Sequence, residues 1–155
     1  MSDDATDELP AEAIAMVTEF IEEHHDYLSY LGVRVETFER GRVVMRLPFD
    51  EKLTNPTSPP TMHGGIAASL IDTAGGMALR PFLDDPVDDT MATINLNVNY
   101  LRRAADDLTA EAEVIRAGGS VGVSTVMVES ETPDGEAKPV AAGQGAYRLF
   151  RSAED

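Results

Sequence analysis

The apolar positions of the chain change period three times, and each change predicts an element. From Ala11 to about Tyr30, Ile14, Val17, Ile21, Leu28 and Leu31 recur at helical spacing, with Glu19, Glu22, Glu23 and Asp26 between them. This predicts one amphipathic N-terminal helix over about 11–30 that ends at Gly32. The segment VRVETFERGRVVMRLPF then alternates, predicting a hairpin of residues 33–39 and 42–49. Residues 50–62 hold three prolines and no period, and predict a loop. His63 to Leu79 is a second helical segment, and four strand-like runs follow at about 91–102, 107–117, 121–131 and 138–150. Consecutive strands behind one long apolar helix predict an α+β fold, an antiparallel sheet wrapped around that helix.

The second helix, HGGIAASLIDTAGGMAL, has no polar face and is expected to be buried on every side. The one ionisable residue inside it, past His63 at its start, is Asp72. A buried, unpartnered carboxylate costs several kcal/mol, about enough to unfold a marginal domain, so Asp72 needs a polar partner or a wet pocket. Ser69, Thr73 or a neighbouring strand can supply the partner. Ala68, Gly76 and Gly65 leave this helix face open to close approach by a backbone or a ligand. His63 and Asp72 are nine residues apart, roughly 13 Å along a helix and half a turn out of phase. They cannot form one acid–base pair within a single chain, so a site using both is shared with a second subunit. Gly64 and Gly65 follow His63 at the helix start, where free N–H groups and a partial positive charge suit an oxyanion.

In the strand MATINLNVNYLR, Ala92, Ile94, Leu96, Val98 and Tyr100 alternate with Thr93, Asn95, Asn97 and Asn99. That polar face carries no carboxylate, which matters because the chain has 28 Asp+Glu against 12 Lys+Arg, a formal charge of −16. A face left uncharged in so acidic a chain is either an ordinary polar strand face or one covered by a partner or a ligand. Phosphate-rich nucleic acid meets a repulsive field and is not an expected partner. Only Lys52 and Lys138 are lysines, the other ten basic residues being Arg, and this distributed acidity resembles proteins adapted to molar salt, where the Debye length is about 3 Å. The absence of Cys excludes disulfides, thiolate metal sites and a Cys nucleophile. The acidic start MSDDATDELP does not resemble a secretion signal and no apolar run approaches the ~20 residues of a membrane span, so a soluble, cytoplasmic protein is expected, with residues 1–10 flexible and one domain over 11–151. No metal-ligand, P-loop or dinucleotide pattern is present; His24 and His25 sit on the acidic helix.

Together these segments resemble the hotdog-fold thioesterases, and within them the phenylacetate-pathway (PaaI-type) acyl-CoA thioesterase family. The resemblance covers about residues 28–150: YLGVRVETFERGRVVMRLPF, the HGG motif with Asp nine residues after its His, TINLNVNYLRRA and AAGQGAYRL. It implies a curved antiparallel sheet around the central helix and sites shared between subunits of a homodimer or homotetramer. It implies that the Gly64 N–H, beside His63, polarises a thioester carbonyl, and that Asp72 of the other subunit acts as general base or nucleophile. Thr93 then holds the attacking water. Family members commonly carry Asn six residues before the motif His, where this chain has Thr57; the nearest Asn is Asn55, which takes the role if the two extra loop residues bulge out. Gly65 and Asn95 are further substrate contacts, and no cofactor is implied beyond the coenzyme A of the substrate. Its phosphates need cations, for which Arg102 and Arg103 are the first candidates and Arg80 and Arg148 weaker ones. Competing readings are a hotdog acyl-CoA dehydratase and a non-catalytic acyl-CoA-binding or regulatory module.

Overall fold

The computed structural model describes residues 8–132 and 134–152. The flexible N-terminus expected over residues 1–10 lies mostly outside them; of its described part, Leu9 packs against the core. The chain runs α1 (Ala11–Glu19), a π-helical turn (Phe20–His24), α2 (Asp26–Leu31), β1 (Arg34–Glu39), β2 (Arg42–Leu47), the short pair β3 (Thr54–Asn55) and β4 (Thr61–Met62), α3 (Gly64–Leu79), and β5 (Thr90–Tyr100). Three long strands complete it, β6 (Leu108–Ala117), β7 (Val121–Glu131) and β8 (Ala137–Phe150).

Six strands form one antiparallel sheet in the order β1-β2-β6-β7-β8-β5. The hairpin β1–β2 turns at Gly41, whose φ of +81° favours glycine. One face of the sheet wraps α3, which packs against β1, β2, β5, β6, β7 and β8. Contact is close because β8 and β7 thin out where α3 crosses. A Cβ on Gly143 would sit 2.9 Å from Ile71, and one on Gly122 2.6 Å from Leu79. Leu70, Ile71 and Ala74 of α3 are fully buried against Val43, Met45, Ala110, Ala112, Val126 and Val128 of the sheet.

Two expectations are corrected. The N-terminal helix is not continuous. It widens into a π turn, where His25 N–H bonds to Phe20 O at 2.7 Å, extends at His25 and restarts as α2, with the His25 Nδ1 accepting from Leu28 N–H. The cap lowers the cost of the interruption, and the apolar spacing is the same on both sides of it, so periodicity reads straight through. Gly32 ends α2 in the left-handed conformation, as its position predicts. Second, α3 is not buried all round: Ala68, Ser69, Asp72 and Thr73 form a half-buried stripe. Over it lies the N-terminal segment, tied down where Tyr27 OH donates to Ser69 Oγ at 2.7 Å.

Candidate functional site

Asp72 sits mid-helix on the open stripe, and its polar partner comes from the neighbouring strand: Thr93 Oγ1 donates to Asp72 Oδ1 at 2.7 Å. Strict alternation puts Thr93 on the same face as Asn95, Asn97 and Asn99, away from α3. The register of β5 on β8 shifts between Thr93 and Asn95, inserting Ile94 as a β-bulge. Before the bulge Met91 and Thr93 face inward; after it Leu96 and Val98 do, each packing on the core. Ile94 itself is left 58% exposed. One extra residue thus turns the hydroxyl toward the carboxylate.

Tyr147 was not singled out by its sequence context, yet it buttresses the same turn of α3. Its ring is buried on β8 and its hydroxyl donates to the Asp72 backbone carbonyl at 2.8 Å. Gly75 and Gly145 make room for it, since a Cβ on either would collide with the phenol oxygen. Burial, and secondly the Asp72 charge, push the Tyr147 phenol well above its ordinary pKa, which keeps it a proton donor in this bond. The signal available in the sequence was the pair of glycines one helical turn past Asp72 and two residues before Tyr147.

Asp72 and Thr93 open onto a cavity of about 540 Å³. Its walls are mostly apolar and come from α1, the π turn, α3 and β5, with Arg80, Asp88 and Asp89 at its polar margin. Arg80 is tied to the loop through one nitrogen: its Nη1 donates to the carbonyls of Pro86, Val87 and Asp89 at 2.8, 3.4 and 3.2 Å. It pins the loop that forms part of the wall, and burial lowers its pKa from the usual guanidinium value. Arg148 lies on β8 with its guanidinium 5.6 Å from the Phe150 ring.

The other end of α3 builds a second, separate cavity of about 220 Å³, lined by Asn55, Thr57, His63, Gly64, Tyr100, Arg102 and Arg103 among others. No residue lines both cavities. His63 is the N-cap of α3, its Nδ1 accepting from Gly65 N–H at 2.8 Å. That bond consumes the Gly65 amide. The Gly64 amide has no acceptor among the described residues, so of the two glycines Gly64 alone presents a free donor at the positive end of the helix. Tyr100 fixes it in place, its hydroxyl donating to Gly64 O at 2.7 Å with the ring against the glycine Cα. Backbone bonds from Met62 N–H to Ala104 O and from His63 N–H to Leu53 O hold the approach to the helix.

Asn55 reaches this cavity because residues 56–60 bulge outward between β3 and β4, and Thr57 joins it there. Arg102 and Arg103 lie at its rim; Arg102 Nη1 donates to Pro139 O at 2.9 Å. Asn95 lies exposed on the outer face of β5 and lines neither cavity, and Gly65 serves the cap. One chain therefore holds a positioned carboxylate beside an apolar pocket and, about two turns away at the helix start, a free amide among cations. It does not bring the two together.

Comparison with known proteins agrees with this fold. A family model described as the thioesterase superfamily matches residues 60–137, which include α3, β5 and β6. A protein of Halobacterium salinarum, named provisionally as an esterase, is 47% identical over 143 residues, covering 90% of this chain and 94% of its own. Human acyl-coenzyme A thioesterase 13 is 25% identical over 111 residues, covering 70% of this chain and 74% of its own. A solved structure from Shewanella oneidensis, described as related to the thioesterase superfamily, is 25% identical with a TM-score of 0.75, covering 90% of this chain and 96% of its own. With its long helix cradled in a six-stranded antiparallel sheet, the chain belongs to the thioesterase superfamily, as a hotdog-fold thioester hydrolase.

Proposed function

We propose that the protein hydrolyses acyl-coenzyme A thioesters of the PaaI type, in a site assembled from the Asp72 half of one copy and the Gly64 half of another. The observation that carries this reading is the split itself: a carboxylate held by Thr93 at an apolar pocket, and a free helix-start amide at Gly64, in two cavities of one chain that share no wall. A second copy can reunite them. β5 is an edge of the sheet, eleven residues long and without a charged side chain. Exposed edges are normally blunted by charge, so a bare one in a chain of −16 is suited to pairing with its own copy.

In the proposed reaction the thioester carbonyl oxygen accepts from Gly64 N–H. Asp72 takes a proton from water, the water oxygen bonds to the carbonyl carbon, and the resulting oxyanion is stabilised at the helix start. The carbonyl re-forms, the C–S bond breaks, and coenzyme A leaves as a thiolate that takes up the proton held by Asp72. Asn55 and His63 frame the oxyanion side. Arg102 and Arg103 receive coenzyme A phosphates that the rest of an acidic surface repels. Ten Arg, two Lys and the Halobacterium relative support a protein built to work in molar salt.

The test is release of free thiol from a panel of acyl-CoAs in molar KCl, with the wild type and Asp72→Asn. The variant is expected to lose turnover while still binding acyl-CoA in a calorimetric titration. Undiminished hydrolysis by it refutes the assignment, and binding without thiol release by the wild type points to a non-catalytic module.

A further inference from the structure

The cavity beside Asp72 has walls that hydrolysis as such does not need. Met16, Val17, Phe20 and Ile21 come from α1 and the π turn, and Met77 and Met91 from α3 and β5. Met16 and Phe20 are 51% and 53% exposed, on a segment otherwise dressed with Glu12, Glu19, Glu22 and Glu23. Both side chains line the cavity and form its outer lip. Three of the chain's seven methionines line it, and unbranched thioethers adapt to flexible chains better than branched side chains do.

We infer that this pocket holds the acyl group and selects uncharged, flexible chains of about eight carbons or more; the inference rests on the proposed acyl-CoA hydrolysis. At about 30 Å³ for a water-sized group, 540 Å³ holds roughly 18 such groups. A decanoyl chain fills somewhat more than half of that, and an acetyl group leaves it almost wholly wet. The margin discriminates against a charged acyl end. Asp88 and Asp89 stand there, while the Arg80 Nη1 is committed to three backbone carbonyls. A dicarboxylic acyl group such as succinyl brings a second negative charge toward Asp72 and Asp88, where the lining Arg80 is held to the loop by Nη1 and its charge is already faced by Asp89.

The π turn places this lip. An i→i+5 bond at Phe20–His25 inserts one residue into the helix, and the Phe20 ring meets the His25 ring edge-on with centroids 5.8 Å apart. Such insertions are frequent at functional sites.

The test measures kcat/KM for saturated acyl-CoAs from two to sixteen carbons and for succinyl-CoA, with the wild type and a Met16→Ala/Phe20→Ala double variant. Burying a methylene is worth up to about fourfold, so the wild type is expected to gain at least a hundredfold from butyryl- to decanoyl-CoA and to level off only toward about sixteen carbons. Succinyl-CoA is expected to be at least tenfold poorer than butyryl-CoA. The double variant should lower the decanoyl-to-butyryl ratio at least tenfold. A flat chain-length profile, or a double variant with the wild-type ratio, overturns the inference. If no thioester is cleaved, the hydrolytic reading fails by itself, and the pocket is judged by binding of S-decyl- against S-butyl-coenzyme A. Preference for decyl in the wild type that the double variant loses upholds it; equal binding overturns it.

Discussion

Replacing Thr93 by Val isolates the one bond that connects β5 to the Asp72 carboxylate. Val keeps the branched shape and the strand preference of Thr, so the bulge at Ile94 and the packing around it are preserved. What disappears is the 2.7 Å donation from Oγ1 to Oδ1. A hydrogen bond to a charged group is worth about 1.5–3 kcal/mol, and because Thr93 is exposed and Asp72 half-buried, solvent brings this one to the lower end. Water can replace the lost donor, but it cannot fix the carboxylate rotamer. About 1.4 kcal/mol of lost transition-state stabilisation is a tenfold loss in kcat/KM, and roughly ten- to thirtyfold is expected, with melting temperature unchanged within about 2 °C. Thr93→Ser, which keeps the hydroxyl, should recover most of the rate. Thiol release under subsaturating acyl-CoA measures all three proteins. If Thr93→Val stays within twofold of the wild type while Asp72→Asn is dead, the bond does not position the carboxylate and the reasoning is wrong.

Gly64→Ala puts a Cβ 3.0 Å from the Tyr100 ring, displacing either the ring or the amide. Losing one oxyanion donor costs about 10²-fold or more in kcat, and a kcat within threefold of wild type argues against the Gly64 amide as that donor. Tyr147→Phe removes a buried hydroxyl worth about 0.5–1.5 kcal/mol, so a fall of about 2–5 °C in melting temperature is expected; an unchanged one means the bond to the Asp72 carbonyl does not brace the helix. Asp107 accepts from Phe49 N–H at 2.7 Å and pairs with Arg46, and both lower its pKa, the backbone bond more. Its contribution to stability is therefore full above the ordinary carboxylate pKa of about 3.9 and lost as pH falls through the lower folded value. Asp107→Asn should destabilise most at neutral pH and converge with wild type in strong acid, as urea unfolding across pH would show. Lowering salt from 1 M to 0.01 M stretches the Debye length from about 3 to 30 Å, and activity should fall as self-repulsion returns; full activity in dilute buffer removes the case for salt adaptation.

Period and punctuation were enough to recover α3, the β1–β2 hairpin and the four long strands to within two residues at each end. These elements bury whole faces, and burial is what periodicity records. The opposite-face relation of His63 and Asp72 was legible too, because helix geometry fixes it. Four features were not legible, each for a local reason. The bulge at Ile94 reverses which face Thr93 joins, and a single inserted residue leaves no mark in an alternating string that is polar on one side throughout. The π turn at Phe20 preserves apolar spacing on both sides. Tyr147 sits in an ordinary strand, and only the third dimension puts its hydroxyl under Asp72. The pocket wall made by Met16 and Phe20 was likewise hidden, since an exposed apolar residue on an amphipathic helix signals nothing by itself.

The placement of Asp72 and Gly64 about two turns apart on one rigid helix, in separate cavities, has a genetic consequence. A chain that has lost only its carboxylate still carries an intact amide half, and a chain that has lost only its amide still carries an intact carboxylate. In a mixed dimer of the two, the proposed shared site predicts one site with both defects and one with neither, so two inactive alleles should complement each other. A single chain bearing both lesions has nothing to lend, and in a mixed dimer with wild type it silences both sites instead of one.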